Sequence, residues 1–149
     1  MYPRTLAIDY GDKRIGLAVS DLLGITAQPI NYLTVNGDRD TIRQLEKPLK
    51  DYEIQRVVLG LPRNMNGSEG TRAKKTRDFA KKLEETYPHI VIDFFDERLT
   101  TICAQRALIN MEIRKKEGKK DMLSAALILQ GYMATHPESP EKPCISCEK

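Results

Sequence analysis

The sequence predicts an α/β domain in which helices cover a mixed five-stranded sheet. The first 35 residues contain three strand-like segments joined by short turns, a spacing typical of an antiparallel meander. Helix-like and strand-like patterns then alternate, which requires parallel strands with helices packed on the sheet. The chain of 149 residues is long enough to form one packed core.

Three extended segments predict the antiparallel part of the sheet. Residues 5–9 form a short apolar strand that runs into a turn at Gly11. Residues 14–20 alternate large apolar side chains with small ones, as expected of a strand. Residues 25–35 are extended as well, and Pro29 among them suits the edge of a sheet better than its centre.

The second half of the chain alternates helices and strands. A helix over residues 38–52, capped by Asp38 or Asp40, is expected to kink or break at Pro48, which lacks a backbone donor. Buried strands are predicted at residues 56–61 and 90–95, because both segments are short and apolar. Further helices are predicted over residues 71–87, with an inner stripe of Ala73, Thr76, Ala80, Leu83 and Tyr87, and over residues 99–110 and 121–134.

The composition predicts a soluble protein of the cytoplasm. Hydrophobic residues make up 40% of the chain and charged residues 30%, and no apolar run approaches the length of a membrane span. The amino terminus enters a strand pattern without the separate regions of a signal peptide. We expect a domain spanning residues 1–135 and a disordered tail at 136–149, where Cys144 and Cys147 lack the second pair of a zinc site.

Acidic residues at three places could meet at one end of the sheet. Asp9 lies where an apolar strand ends in a glycine turn, a place where α/β folds hold ligand groups, although hydrogen bonding to turn amides would explain it equally well. Asp96 and Glu97 follow a strand and point to opposite faces, so one can face the site while the other complements a helix dipole. Asp121 begins a predicted helix, where an N-cap role would explain it. The three places together, rather than any one alone, indicate a site.

A cluster of three carboxylates favours a metal site. Without a cation the carboxylates repel and raise one another's pKa, whereas Mg²⁺ or Mn²⁺ accepts carboxylate, water and phosphate oxygens together. Such ions activate water and stabilise the leaving oxygen of a phosphodiester. The two histidines, His89 and His136, carry no partner signature of another catalytic chemistry. The sequence therefore favours a metal-dependent phosphodiesterase.

Basic residues are clustered, although the formal net charge is only +3. Each of two clusters is by itself typical of a solvated helix face. Together they flank the candidate acids and favour a polyanionic partner. Their members are Arg72, Lys74, Lys75, Arg77, Lys81 and Lys82 in the first cluster, and Arg114, Lys115, Lys116, Lys119 and Lys120 in the second.

Four segments resemble the motifs of the YqgF-type family, whose members are described as Holliday-junction resolvases and as pre-16S ribosomal RNA nucleases. The segments are residues 8–21 (IDYGDKRIGLAVSD), 60–62 (GLP) with 66–69 (NGSE), 96–101 (DERLTT), and 120–121 (KD) with 125–126 (AA) and 128–130 (ILQ). They occur in the order and spacing of the family over nearly all of residues 4–134. The first segment also resembles the phosphate loop of sugar kinases and actin-like ATPases. Those proteins need a second domain with further phosphate and adenosine motifs, whereas we expect one short domain here.

The family resemblance implies a ribonuclease-H-like fold with three antiparallel strands followed by two parallel ones. It implies catalytic and metal-binding roles for Asp9, Glu97 and Asp121, with Mg²⁺ or Mn²⁺ as cofactor. Nucleases of this fold often carry a fourth acid near the third, whereas Met122, Leu123 and Ser124 follow Asp121 here. We therefore expect three carboxylates.

The expected substrate is structured nucleic acid, either pre-rRNA or branched DNA. Processing of the 5′ end of pre-16S rRNA is the preferred role, and resolution of four-way DNA junctions is the alternative. A non-catalytic module that binds nucleic acid or a ribosome-assembly factor is the alternative of another class. We expect a monomer or homodimer. Contacts with nucleic acid are predicted for Lys13, Arg14, Arg98, Arg114, Lys115, Lys116, Lys119 and Lys120.

Overall fold

The computed structural model describes residues 4–11, 13–24, 26–61, 69–96 and 119–135. Five strands and three helices lie within these residues. In chain order they are β1 (Thr5–Asp9), β2 (Arg14–Ser20), β3 (Ala27–Thr34), α1 (Asp38–Asp51), β4 (Arg56–Leu61), α2 (Thr71–Thr86), β5 (Val91–Asp96) and α3 (Lys119–Thr135). The predicted helix at 99–110 and the predicted tail at 136–149 lie outside the described residues.

The five strands form one mixed sheet in the order β3-β2-β1-β4-β5. The strands β1, β2 and β3 pair antiparallel, while β4 pairs parallel with β1 and β5 parallel with β4. This is the predicted arrangement of three antiparallel strands followed by two parallel ones. Ile8 is level with Leu59, and Leu59 with Phe94. The carboxyl ends of β1, β4 and β5 therefore share one edge of the sheet, which we call the carboxyl edge.

The two faces of the sheet carry separate cores. Leu6 and Ile8 of β1 pack in a cluster with side chains of α1 and α2, including Leu45 and Phe79. Ala7, between them in the strand, points to the other face and belongs to the cluster of α3. Further members of that second cluster are Ala18 of β2, Val58 of β4, Phe95 of β5 and, from α3, Ala125, Ala126, Ile128, Leu129, Tyr132 and Met133.

Small side chains allow α3 to approach the sheet closely. Ala7, Ala18 and Ala125 are completely buried where the helix covers the strands. A Cβ atom added at Gly131 would lie only 2.6 Å from Cζ of Phe95. The absence of a side chain at Gly131 is therefore part of the fit between α3 and β5.

The structure corrects the prediction for the first helix. Its N-cap is Gly37, with φ of 100°, and Asp38 and Asp40 lie in the first turn, where their carboxylates complement the helix dipole. The expected break at Pro48 is absent, because α1 continues to Asp51. Leu45 and Leu49 are buried on either side of Pro48, and this packing offsets the backbone hydrogen bond that proline cannot make.

One further prediction was partly wrong, and another was confirmed with one added residue. The last strand was expected to be buried, but β5 lies at the edge of the sheet and the side chain of Val91 is 59% exposed. Helix α2 buries Phe79 in addition to the four predicted helical positions, and Tyr87 lies just beyond its end. Pro29 does lie in an edge strand, as predicted, opposite Ala18 where the register of β2 and β3 shifts.

Candidate metal and nucleic-acid site

Asp9 is the last residue of β1, and its side chain is half-buried. It is level with Gly16 of β2 and one position beyond the paired residues Ile8 and Leu59. Because strand side chains alternate, Asp9 shares the face of Ala7, which α3 covers. The carboxylate therefore belongs to the carboxyl edge, on the α3 side of the sheet.

The residue after Asp9 is held by three different contacts. The hydroxyl of Tyr10 donates a 2.7 Å hydrogen bond to Oδ1 of Asp38 in α1. Its ring centroid lies 4.6 Å from that of Phe79 in α2. Its carbonyl oxygen accepts a 3.1 Å hydrogen bond from Nη2 of Arg72, in the first turn of α2. Both helices on the far face of the sheet thus contact the chain directly after Asp9.

The turn between β1 and β2 is tight at Gly11. A Cβ atom at this position would lie 2.6 Å from the backbone oxygen of Arg14. Such a contact would force the turn to shift, so glycine is required by close approach of the backbone. The turn places two predicted cationic residues beside the Asp9 edge, since Lys13 is exposed within it and Arg14 begins β2.

The structure describes the other predicted acids only in part. Asp96, the last residue of β5, is half-buried and level with Leu61. Glu97 lies outside the described residues. Asp121 is the third residue of α3, so it lies within the helix, and the alternative explanation of Asp121 as an N-cap does not apply. Among the side chains that the structure describes, which include neither Glu97 nor the side chain of Asp121, no group of three or more His, Cys, Asp or Glu residues could hold a metal ion.

A polar network fixes the far end of α3. The hydroxyl of Tyr132, whose side chain is only 1% exposed, donates a 2.7 Å hydrogen bond to Oδ2 of Asp93 in β5. The same hydroxyl accepts a 3.0 Å hydrogen bond from Nη1 of Arg56, the first residue of β4. The last turn of α3 therefore bonds to the beginning of β4, at Arg56, and to the middle of β5, at Asp93. The hydrogen bond to Asp93 also places the odd-numbered side chains of β5 on the α3 face.

The predicted cationic residues divide into three groups. Lys13 and Arg14 lie at the carboxyl edge with Asp9. Lys119 and Lys120 are the first two residues of α3 and directly precede Asp121. Arg98, Arg114, Lys115 and Lys116 lie outside the described residues.

Sequence reasoning missed Arg72 as a residue of this edge. Arg72 was recognised only as a member of a basic cluster on a helix. The structure brings its guanidinium to the carbonyl oxygen of Tyr10, directly after Asp9. The available signal was its position in the first turn of the helix that follows β4, because such a turn lies near the carboxyl edge of a parallel sheet.

Arg77 of the same cluster is already paired. Its Nε and Nη2 atoms donate hydrogen bonds of 2.8 and 2.6 Å to the two carboxylate oxygens of Glu69. The hydrogen bond to Glu69, opposed by partial desolvation and aided by the charge of the carboxylate, raises the pKa of Arg77 above its ordinary value. The guanidinium also lies 4.9 Å from the ring centroid of Phe94. Arg77 therefore contributes less positive potential than the sequence alone indicates.

Within the described part of the chain, no helix is long and apolar enough to cross a membrane. This agrees with the short apolar runs of the sequence.

The sequence is similar to a known protein family along most of its length. A family model described as "RuvX: Holliday junction resolvase" matches residues 3–135. A protein of Lactococcus lactis subsp. lactis (strain IL1403) named "Putative pre-16S rRNA nuclease" is 43% identical over 140 residues, covering 91% of this chain and 97% of the relative. A protein of Bacillus subtilis (strain 168) with the same name is 43% identical over 135 residues, covering 87% of this chain and 96% of the relative.

The fold is similar to that of a protein whose structure was solved with a Holliday junction substrate. The structure titled "T. thermophilus RuvC in complex with Holliday junction substrate" matches with a TM-score of 0.62 and 10% sequence identity, covering 93% of this chain and 99% of that chain. This similarity confirms the predicted fold class.

Proposed function

The chain belongs to the RuvX family of Holliday junction resolvases, a family of nucleases, and on this premise we propose that it is a metal-dependent nuclease that processes the 5′ end of pre-16S rRNA. The observation that carries the proposal is the position of Asp9 at the carboxyl edge of the sheet, on the face covered by α3. Asp9, Glu97 and Asp121 are the proposed catalytic residues. The proposed nuclease domain spans residues 1–135, and its proposed compartment is the cytoplasm.

The packing of α3 supports a meeting of Asp121 with Asp9. Asp121 precedes the buried Ala125 by one helical turn, and Asp9 follows Ala7 by two strand positions; both alanines belong to one buried cluster. At the other end of α3, Tyr132 bonds to Arg56 at the beginning of β4. About 16 Å of helix separates Asp121 from Tyr132, which is close to the length of a six-residue strand. The first turn of α3 is therefore proposed to lie toward the carboxyl edge.

Strand alternation supports Glu97 as the second acid. In β5, Asp93 bonds to α3 and Phe95 packs against it, whereas Phe94 packs in the cluster of α1 and α2. The same alternation assigns Asp96 to the α1 and α2 face, away from that of Asp9, so the proposal keeps Glu97 rather than Asp96 as the second acid. The described part of β5 therefore disfavours Asp96 as a ligand beside Asp9.

The proposed donor set fits Mg²⁺ or Mn²⁺ by its chemistry. Three carboxylates supply hard oxygen ligands, and no sulfur or imidazole is among them. A bound ion would polarise water and stabilise negative charge on the phosphodiester oxygens. Among the described residues, β1 holds Asp9, and Lys13, Arg14 and Arg72 lie near it as cations for phosphate oxygens.

Two substrates are supported by different observations. The names of the relatives that share 43% identity favour pre-16S rRNA. The description of the matching family favours a four-way DNA junction. A single cut in rRNA suits a monomer, whereas a two-fold symmetric junction suits a homodimer.

The test is cleavage of precursor 16S rRNA and of a four-way DNA junction side by side, with Mg²⁺, Mn²⁺ or chelator. We expect metal-dependent cleavage of the precursor at its 5′ end and slower cleavage of the junction. The control is Asp9→Asn, which keeps the size of the side chain but removes a charged ligand. Faster cleavage of the junction would favour the resolvase, and binding without any cleavage would favour a non-catalytic module.

A further inference from the structure

We propose that Tyr10 is a positioning residue that sets the Asp9 carboxylate for metal binding, through its bond to Asp38. Tyr10 packs on the α1 and α2 face of the sheet, opposite to the face of Asp9, so its proposed role is indirect. This inference rests on the proposed function, because it assigns to Asp9 the role of a ligand. Neither the sequence motifs nor the similarity to the RuvX family assigns a role to this hydroxyl.

The strand pairing of β1 ends at Ile8 on one side and at Asp9 on the other. Its last pair with β4 is Ile8 with Leu59, and its last pair with β2 is Asp9 with Gly16. The orientation of Asp9 therefore depends on how the next peptide is held. The ring, hydroxyl and carbonyl of Tyr10 each contact a different group, on two helices.

The acceptor of the Tyr10 hydroxyl is itself fixed. Asp38 lies in the first turn of α1, and its two carboxylate oxygens have different partners. Oδ1 accepts from Tyr10 at 2.7 Å, and Oδ2 lies 3.2 Å from Nζ of Lys82 in α2. A charged acceptor makes the bond from Tyr10 stronger than one between neutral groups. The carboxylate of Asp38 in α1 thus links the end of β1, through Tyr10, with α2, through Lys82.

The geometry resembles an outer-shell support, in which a neighbour orients a metal ligand without touching the metal. Loss of such a support costs about 10–100-fold in metal affinity or activity in known metal sites. Here the support acts through the backbone, because Tyr10 follows Asp9 directly in the chain. We expect an effect at the lower end of that range.

The test compares Tyr10→Phe with Tyr87→Phe. Each substitution removes one tyrosine hydroxyl from a half-buried ring and keeps the ring. The hydroxyl of Tyr87 donates a 3.0 Å hydrogen bond to the backbone oxygen of Ile42, so it also links α2 with α1, but away from Asp9. Tyr87→Phe is therefore a matched control for Tyr10→Phe, because both substitutions remove one hydroxyl and one hydrogen bond to α1.

The measurement is Mn²⁺ binding to the full chain without nucleic acid, followed by electron paramagnetic resonance, together with kcat and the half-saturating Mn²⁺ concentration for cleavage. We expect Tyr10→Phe to weaken Mn²⁺ binding about tenfold, and Tyr87→Phe to leave it unchanged. Asp38→Ala, which removes the acceptor, should have the same effect as Tyr10→Phe, and the two changes together should add little.

Equal metal affinity in wild type and Tyr10→Phe, or equal losses in Tyr10→Phe and Tyr87→Phe, would overturn the proposal. A wild-type chain that binds no Mn²⁺ would overturn it as well. If wild type binds Mn²⁺ and Tyr10→Phe binds it less tightly, but neither substrate is cut, the positioning role stands and the proposed nuclease function fails. Should Tyr10→Phe not fold, Asp38→Ala decides between these outcomes.

Discussion

Replacement of Gly131 by alanine tests how closely α3 must lie against the sheet. The new Cβ would lie 2.6 and 2.9 Å from Cζ and Cε2 of Phe95, and 3.5 Å from Cε1. Ordinary carbon contacts begin near 3.5 Å, so the ring or the helix must move by almost 1 Å. Phe95 is only 5% exposed and packed in the core of α3, so the ring has little free space in which to move.

Two opposing contributions set the magnitude. Overpacking of a core typically costs about 1–3 kcal/mol, and alanine is better than glycine in a helix by about 1 kcal/mol. We therefore expect Gly131→Ala to lower the free energy of unfolding by about 1 kcal/mol. Urea unfolding followed by circular dichroism measures this difference, with unchanged dependence of the free energy on urea as the sign that the folded state is intact.

The control removes the clash and keeps the helix effect. In a Phe95→Leu background the ring atoms that meet the new Cβ are absent, so Gly131→Ala should there become neutral or stabilising. If Gly131→Ala is stabilising with Phe95 present, the ring has room to move and the reasoning about close approach is wrong. If the loss is the same in both backgrounds, its cause is not Phe95.

Three further predictions concern chemistry, charge and pH. Asp121→Asn should lower the cleavage rate on the order of 10³-fold, equivalent to about 4 kcal/mol of transition-state stabilisation. The temperature of thermal unfolding should change little. Near-normal turnover would remove Asp121 from the proposed site. Lys13→Gln should lower the slope of the logarithm of the binding constant against the logarithm of the salt concentration, by about 0.9 for duplex DNA or about 0.7 for single strands. The control is Lys81→Gln, because Lys81 is exposed on α2, and it should leave this slope unchanged. The reverse result would move the binding surface to α2. Burial, with a smaller effect of Glu46, raises the pKa of Tyr87, so the folded state favours the neutral phenol. That stabilisation is complete below the ordinary pKa of tyrosine, about 10, and is lost as the pH rises through the higher folded pKa. Urea unfolding at increasing alkaline pH should therefore show a steeper loss of stability for wild type than for Tyr87→Phe, and parallel losses would contradict this assignment.

The sheet was predictable from the sequence because its signals are local. The turn at Gly11 and the alternation in residues 14–20 identify β1 and β2 without knowledge of their neighbours. Strand order is not local, and this is why β5 was predicted to be buried. Val91 and Ile92 are residue types that are also common in central strands, but β5 pairs with a neighbouring strand on only one side.

The support around the candidate site could not be predicted for the same reason. Tyr10 and Asp38 are 28 residues apart, and Tyr10 alone reads as an ordinary aromatic residue after a strand. Asp38 was correctly connected with the start of a helix but interpreted as its cap, whereas Gly37 is the cap. The pairing of Tyr132 with Arg56 spans 76 residues, and no local pattern predicts it.

The alternation along β5 determines which changes in chain length this protein can tolerate. Deletion of one residue between Val91 and Asp96 would preserve an apolar strand and its pairing with β4, yet it would exchange the faces to which all following side chains point. Deletion of two residues would restore the faces and shift the acids by about 7 Å along the strand. Length variation among functional relatives is therefore expected in the turns before β5 and not within it. Engineered insertions should avoid this strand even though Val91 lies on the surface.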